Sequence, residues 1–146
     1  GVGMAGSLCR CICVGLIAAV LGGCDIFGLG ESEQVGWLRY HNDTTVVYLP
    51  AAATVDSAFT VRFPPFGGGC MSAGRTTVDL GNRTATVTPI DKDSGASTCT
   101  AELRYLQHEA LVQFSAVGAA TVLVRGVEEP GGGEVELSFP IVVEQR

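Results

Sequence analysis

The chain has 146 residues, with 15 acidic side chains against 9 basic ones and a formal net charge of −6. That length suits one domain once any targeting segment is set aside. A single lysine, Lys92, and dispersed arginines argue against nucleic acid, which demands a concentrated basic face, and leave no polybasic patch for anionic lipid.

The first feature in chain order is an apolar run. Arg10 is followed by eleven uncharged residues, Cys11 to Leu21, and then by Gly22, Gly23 and Cys24. A positive charge, an apolar stretch of roughly 7–15 residues and small residues at its exit describe a secretory signal. The run is shorter than the about 20 apolar residues a spanning helix needs. The rival reading is an ordinary buried apolar segment. Leu21-Gly22-Gly23-Cys24 resembles the lipobox of bacterial lipoproteins. The resemblance implies that residues 1–23 are a signal peptide cut before Cys24, and that Cys24 is the lipidation site and the first mature residue. It also implies a lipid-anchored protein of the bacterial cell envelope, facing the periplasm or the cell exterior, whose membrane contact rests on acyl chains. More than one chain is needed, because each buried methylene contributes only about 0.8 kcal/mol.

Residues 24–34 mix glycine, serine and acids without periodicity and read as a flexible tether. Residues 35–146 read as the folded domain, because apolar side chains there recur with period two and no helical repeat is sustained. Strands are expected near 36–41, 45–49, 57–63, 76–80, 84–90, 99–106, 110–116, 119–127 and 134–144. Phe59, Val61 and Phe63 alternate with Thr60 and Arg62; Ala85 and Val87 alternate with threonines. Ala120, Val122 and Val124 lie in a strand apolar on both sides, hence a central one. Val135, Leu137, Phe139, Ile141 and Val143 share one face of the last strand, with Glu134, Glu136, Ser138 and Glu144 on the other. Pro140 places that strand at an edge or a bulge. Gly81-Asn82 marks a hairpin loop, and Asp91-Lys92-Asp93-Ser94-Gly95 a polar loop.

Many short strands with turn signals between them predict an all-β, antiparallel β-sandwich of about seven to nine strands after the N-terminal signal segment. The stretch from His108 to Gly118, followed by Ala119 to Gly126, resembles the final strands of bacterial immunoglobulin-like domains, and the resemblance implies an immunoglobulin-like sandwich. Of the six cysteines, Cys9, Cys11 and Cys13 fall in the signal run and Cys24 is the lipid site that the lipobox resemblance implies. Cys70 and Cys99 remain, and an even pair in an exported protein reads as a disulfide. Closing that loop of about 30 residues contributes about 3–4 kcal/mol in the chain-entropy model. A hairpin separates the two cysteines, so the bridge would tie two loops at one pole.

Chemistry-bearing motifs are scarce. Ser57, His108 and Asp79 could be assembled into a nucleophile, base and orienting acid, but no elbow context singles out a serine. No catalytic residue, metal ligand or cofactor is assigned, and both histidines, His41 and His108, read as polar strand or turn residues. Asp91 to Gly95 has the start of a calcium loop without its later ligands. Trp37, Tyr40 and Tyr48 are the candidate binding aromatics; residues of this kind at strand spacing more often serve core or cross-strand packing. The expectation is a non-catalytic binding or structural module with an envelope protein or glycan as partner. The alternatives are an accessory subunit of an envelope complex, or a sugar- or peptide-directed enzyme.

Overall fold

The computed structural model describes residues 30–129 and 131–146; the signal run, Cys9, Cys11, Cys13 and the lipidation candidate Cys24 lie outside them. Twelve strands form among the described residues. β1 (Ser32–Val35), β2 (Trp37–Tyr40), β3 (Asp43–Thr44) and β4 (Ala52–Thr54) precede β5 (Phe59–Phe63) and β6 (Phe66–Gly67). β7 (Met71–Gly81) and β8 (Thr84–Asp93) make a long hairpin. β9 (Arg104–Tyr105), β10 (His108–Val112), β11 (Gly118–Glu128) and β12 (Glu134–Glu144) complete the chain. No helix forms among these residues, so the fold is all-β.

Period-two patterning accounts for the core. Val61 and Phe63 of β5 and Ala110 and Val112 of β10 face Ala85 and Val87 of β8, Val122 and Val124 of β11, and Ile141 and Val143 of β12. β5 and β10 pair with each other as a two-stranded layer across the core from the large sheet, and Tyr48 bridges the other edge of β5 at Arg62. Each such fully buried Val, Ile or Phe contributes about 1.5–3 kcal/mol over an exposed one. β11 is the central strand its sequence predicts: β12 lies along one edge, β8 and then β2 along the other. At Pro140, β12 pairs with β11 alone; β4 covers its far edge only at residues 142–144. The missing proline N–H therefore costs no ladder bond.

The large sheet is mixed and curled rather than antiparallel throughout. β11 runs parallel to β8 and to β2, and β12 parallel to β4. Parallel neighbours need a long crossover, and the chain from Asp93 to Gly118 supplies one by passing through β10 in the other layer. Period two reports which face of a strand is buried but not which way its neighbour runs. Twelve strands stand against nine expected segments because β1, β3, β4 and β6 lie outside those segments, whereas 45–49 forms no strand and makes only an isolated bridge from Tyr48 to Arg62. The 99–106 segment is mostly irregular, with a strand only at Arg104–Tyr105. The segment read as a tether enters the sheet at Ser32, where β1 pairs with the end of β8.

Two turns differ locally from expectation. Gly81 pairs with Thr84, so the hairpin loop is Asn82-Arg83, with Arg83 at φ 59°. The Arg83 Nη1 donates to the Val117 carbonyl at 2.9 Å, which ties this turn to the start of β11. Asp91 and Lys92 lie in no loop: β8 continues through Asp93 because β7 pairs with one edge and β1 with the other. Gly36 sits where β8 and β11 part. Its N–H donates to Pro89 and its carbonyl accepts from Val127. A Cβ there would lie 2.8 Å from Asp91 Oδ2 and 2.9 Å from Pro89 Cγ.

Candidate functional site

One pole of the molecule is built from aromatic residues. The short ladder β2–β6–β9 pairs Phe66 with Trp37 on one side and with Tyr105 on the other. The Phe66 ring lies 5.6 Å from Tyr105 and 6.1 Å from Tyr40, centroid to centroid. Trp37, Phe66, Met71 and Leu106 form a second apolar cluster, with Tyr40 and Val127 packed against it.

Two open grooves flank this cluster. The first, of about 370 Å³, has Trp37 and Tyr40 on its floor, Gly67 and Gly68 along one wall and Thr100 to Leu103 along the other, with Glu129 at its rim. The second, of about 320 Å³, lies between Tyr48, Phe66 and Tyr105, with Thr45 and Pro64 at its base. The Thr45 hydroxyl is already satisfied by the Pro64 carbonyl at 2.7 Å.

The three candidate aromatics are thus distributed rather than clustered. Trp37 and Tyr40 line the first groove and Tyr48 the second. Trp37 is only 9 % exposed, so most of its ring is core and only an edge meets the groove. Tyr48 is 63 % exposed. Tyr105, equally exposed, went unremarked in the sequence because it lies in a segment with no clean alternation; it lines the second groove opposite Tyr48.

Cys70 and Cys99 form a disulfide, with Cα atoms 5.2 Å apart. Its placement follows from the hairpin: Cys70 precedes β7 and Cys99 follows β8. Gly67 and Gly68 stand just before Cys70, and Thr100 to Leu103 just after Cys99. The bridge therefore fastens together the two walls of the first groove. It is supported by Ser94 N–H donating to the Cys70 carbonyl at 3.0 Å.

Charge at this pole is mixed: Glu128, Glu129 and Glu102 stand beside Arg39, His41 and Arg104 respectively. Glu129 Oε2 is buried and has no hydrogen-bond partner among the described residues; His41 Nδ1 stands 3.7 Å from it, beyond hydrogen-bond reach. Glu102 Oε1 accepts from the Thr100 hydroxyl at 3.2 Å. Glu128 lies 3.5 Å from Arg39. His41 is an exposed turn residue at φ 51°.

His108 is not a surface residue. It begins β10 on the buried face, 4 % exposed, and stacks on Phe63 at 5.9 Å. Its Nε2 lies 2.7 Å from Asp91 Oδ1 and its Nδ1 2.8 Å from the Thr76 hydroxyl. A carboxylate only accepts, so Nε2 carries the proton and, in the neutral ring, Nδ1 accepts from Thr76. A protonated ring keeps both contacts, because the hydroxyl can turn and accept. Ser57 and Asp79 are not the partners of this histidine; Thr76 and Asp91 are. The row resembles a nucleophile, base and acid, yet Asp91 is fully buried and neither groove reaches it. It joins β10 in one layer to β7 and β8 in the other. The signal for it was present: Ala85, Val87, Pro89 and Asp91 continue one alternation, and His108, Ala110, Val112 and Phe114 continue another.

Among the described residues no three His, Cys, Asp or Glu side chains converge as a metal site, and no helix is long and apolar enough to cross a membrane. No protein-family model, no curated protein and no solved structure matches this chain.

Proposed function

We propose that this protein is a lipid-anchored binding module of the bacterial envelope. In this reading Cys24 carries the lipid, and an immunoglobulin-like sandwich presents its aromatic pole to an envelope protein or glycan. The role is non-catalytic. One observation carries it: the Cys70–Cys99 bridge clamps the two walls of a groove floored by aromatic rings. Disulfides persist in oxidising compartments, which accords with export, and a covalently held groove is pre-organised for a ligand. The immunoglobulin-like reading draws support from β5 and β10 packing across one core from β8, β11 and β12.

The enzymatic alternative would have to use Thr76, His108 and Asp91. A general base needs to reach its substrate, and this imidazole is enclosed with both nitrogens engaged. The binding reading is therefore preferred.

Two measurements on bacteria expressing the full chain test the proposal. An alkyne fatty acid should label the wild-type chain and not Cys24→Ala; equal labelling of both contradicts the anchor. A photo-crosslinking amino acid at Tyr48 or Tyr105 should give discrete adducts, whereas the same group at Leu80, exposed beside the β7–β8 turn, should give none. Adducts at neither tyrosine contradict a binding pole.

A further inference from the structure

We propose that the groove over Trp37 and Tyr40 recognises a cationic side chain, arginine above all, presented by a partner polypeptide; the inference rests on the binding role proposed above. The lining combines two aromatic rings with two carboxylates, Glu102 and Glu129, and contains no lysine or arginine. A guanidinium beside an aromatic ring gains from the ring quadrupole, most of all at tryptophan. Its planar fork also suits carboxylate oxygens better than an ammonium does.

Glu129 is the decisive residue. Its Oε2 is shut off from solvent without a donor among the described residues. A desolvated carboxylate oxygen without a hydrogen bond leaves its charge poorly compensated; the side chain as a whole is 40 % exposed, so a cation in the groove meets its accessible side and offsets that charge. Glu102, also in the lining, is held by the Thr100 hydroxyl at 3.2 Å and stands 4.0 Å from Arg104, an exposed pair that a ligand guanidinium can displace. The volume, about 370 Å³, lies near the lower end for small-ligand sites, which start at about 300 Å³. That size accommodates one long side chain and not an extended oligosaccharide. The net charge of −6 acts in the same direction by drawing cations toward the surface.

Trp37 is the sole tryptophan, so its emission reports this groove directly. The purified full chain is titrated with Nα-acetyl-arginine amide, with the neutral isostere Nα-acetyl-citrulline amide, and with N-acetylglucosamine. The arginine probe should change the Trp37 emission saturably at millimolar concentration and the citrulline probe should not. Glu129→Gln should weaken the arginine response about tenfold, the loss of one charge-assisted hydrogen bond, with circular dichroism unchanged. Glu102→Gln should weaken it by a smaller factor. Equal responses to arginine and citrulline, or an unaltered response in Glu129→Gln, overturn the proposal. A response to N-acetylglucosamine with none to arginine overturns it too, in favour of a glycan. If arginine fails while Tyr48 and Tyr105 still crosslink, the cation inference alone falls; loss of the crosslinks brings down the binding role separately.

Discussion

Among the described residues two carboxylates each hold a buried oxygen without a hydrogen-bond partner, and their settings are opposite. Asp91 lies in the core, its other oxygen bound to His108 and its neighbours Gly36 and Pro89 packed so closely that no side chain fits between. Glu129 lies at the rim of an open groove beside two aromatic rings. The first is a joint between layers: the Asp91–His108–Thr76 row fastens β8 and β7 to β10. The second belongs to a side chain that is 40 % exposed and lines a groove, with its buried oxygen turned toward His41 at 3.7 Å. The contrast teaches that a fully enclosed charge locked by its own protein stabilises a fold, whereas a carboxylate only half enclosed at a groove keeps a side available for recognition.

The largest effect should follow from breaking the joint. His108→Ala leaves the Asp91 charge buried without its partner, a change that costs about 3–5 kcal/mol; denaturant unfolding measures it. Replacing both residues, Asp91→Leu with His108→Leu, should cost clearly less than the two single changes added together. Additive losses would show that the pair acts as two independent packing residues.

Opening the disulfide should come next. Cys70→Ser with Cys99→Ser is expected to lower stability by about 3–4 kcal/mol on the loop-entropy argument. Unlike the core variant it should also alter the Trp37 emission of the folded protein, because the groove walls separate. Gly36→Ala tests the packing around Asp91 from its other side. The added methyl would meet Asp91 Oδ2 and Pro89 Cγ inside contact distance, and overpacking of this kind costs about 1–3 kcal/mol. The smallest effect belongs to the exposed pair on the outer face, where the hydrogen bond from Arg125 to Glu136 holds that guanidinium above its ordinary pKa. Arg125→Ala should leave the melting temperature unchanged, since surface pairs contribute little.

The two regions also differ in how far the sequence revealed them. Strand faces were legible where alternation is sustained: Val135, Ile141 and Val143 of β12 are buried as their alternation predicts, and Cys70 and Cys99 meet as an even pair predicts. The joint was misread because Asp91-Lys92-Asp93-Ser94-Gly95 has the composition of a turn. Ladders on both edges outweighed that composition and carried β8 to Asp93. His108 reads as a polar strand or turn residue, and its burial follows from the face it shares with Ala110 and Val112. Sheet direction was not legible, since period two carries no information about a neighbour's orientation. The pole was legible only in part. Trp37, Tyr40 and Tyr48 were visible as aromatics, but the split between two grooves depends on Phe66 pairing with both Trp37 and Tyr105, a contact between distant segments.

The most direct test of the account joins the bridge to the groove. The Trp37 titration with Nα-acetyl-arginine amide is run on the oxidised full chain and again after selective reduction and alkylation of Cys70 and Cys99, with circular dichroism confirming that strands persist. A saturable response in the oxidised protein, lost or strongly weakened in the alkylated one, is the predicted result. Identical titrations in both states would contradict it, since the bridge would then have no part in shaping a binding site.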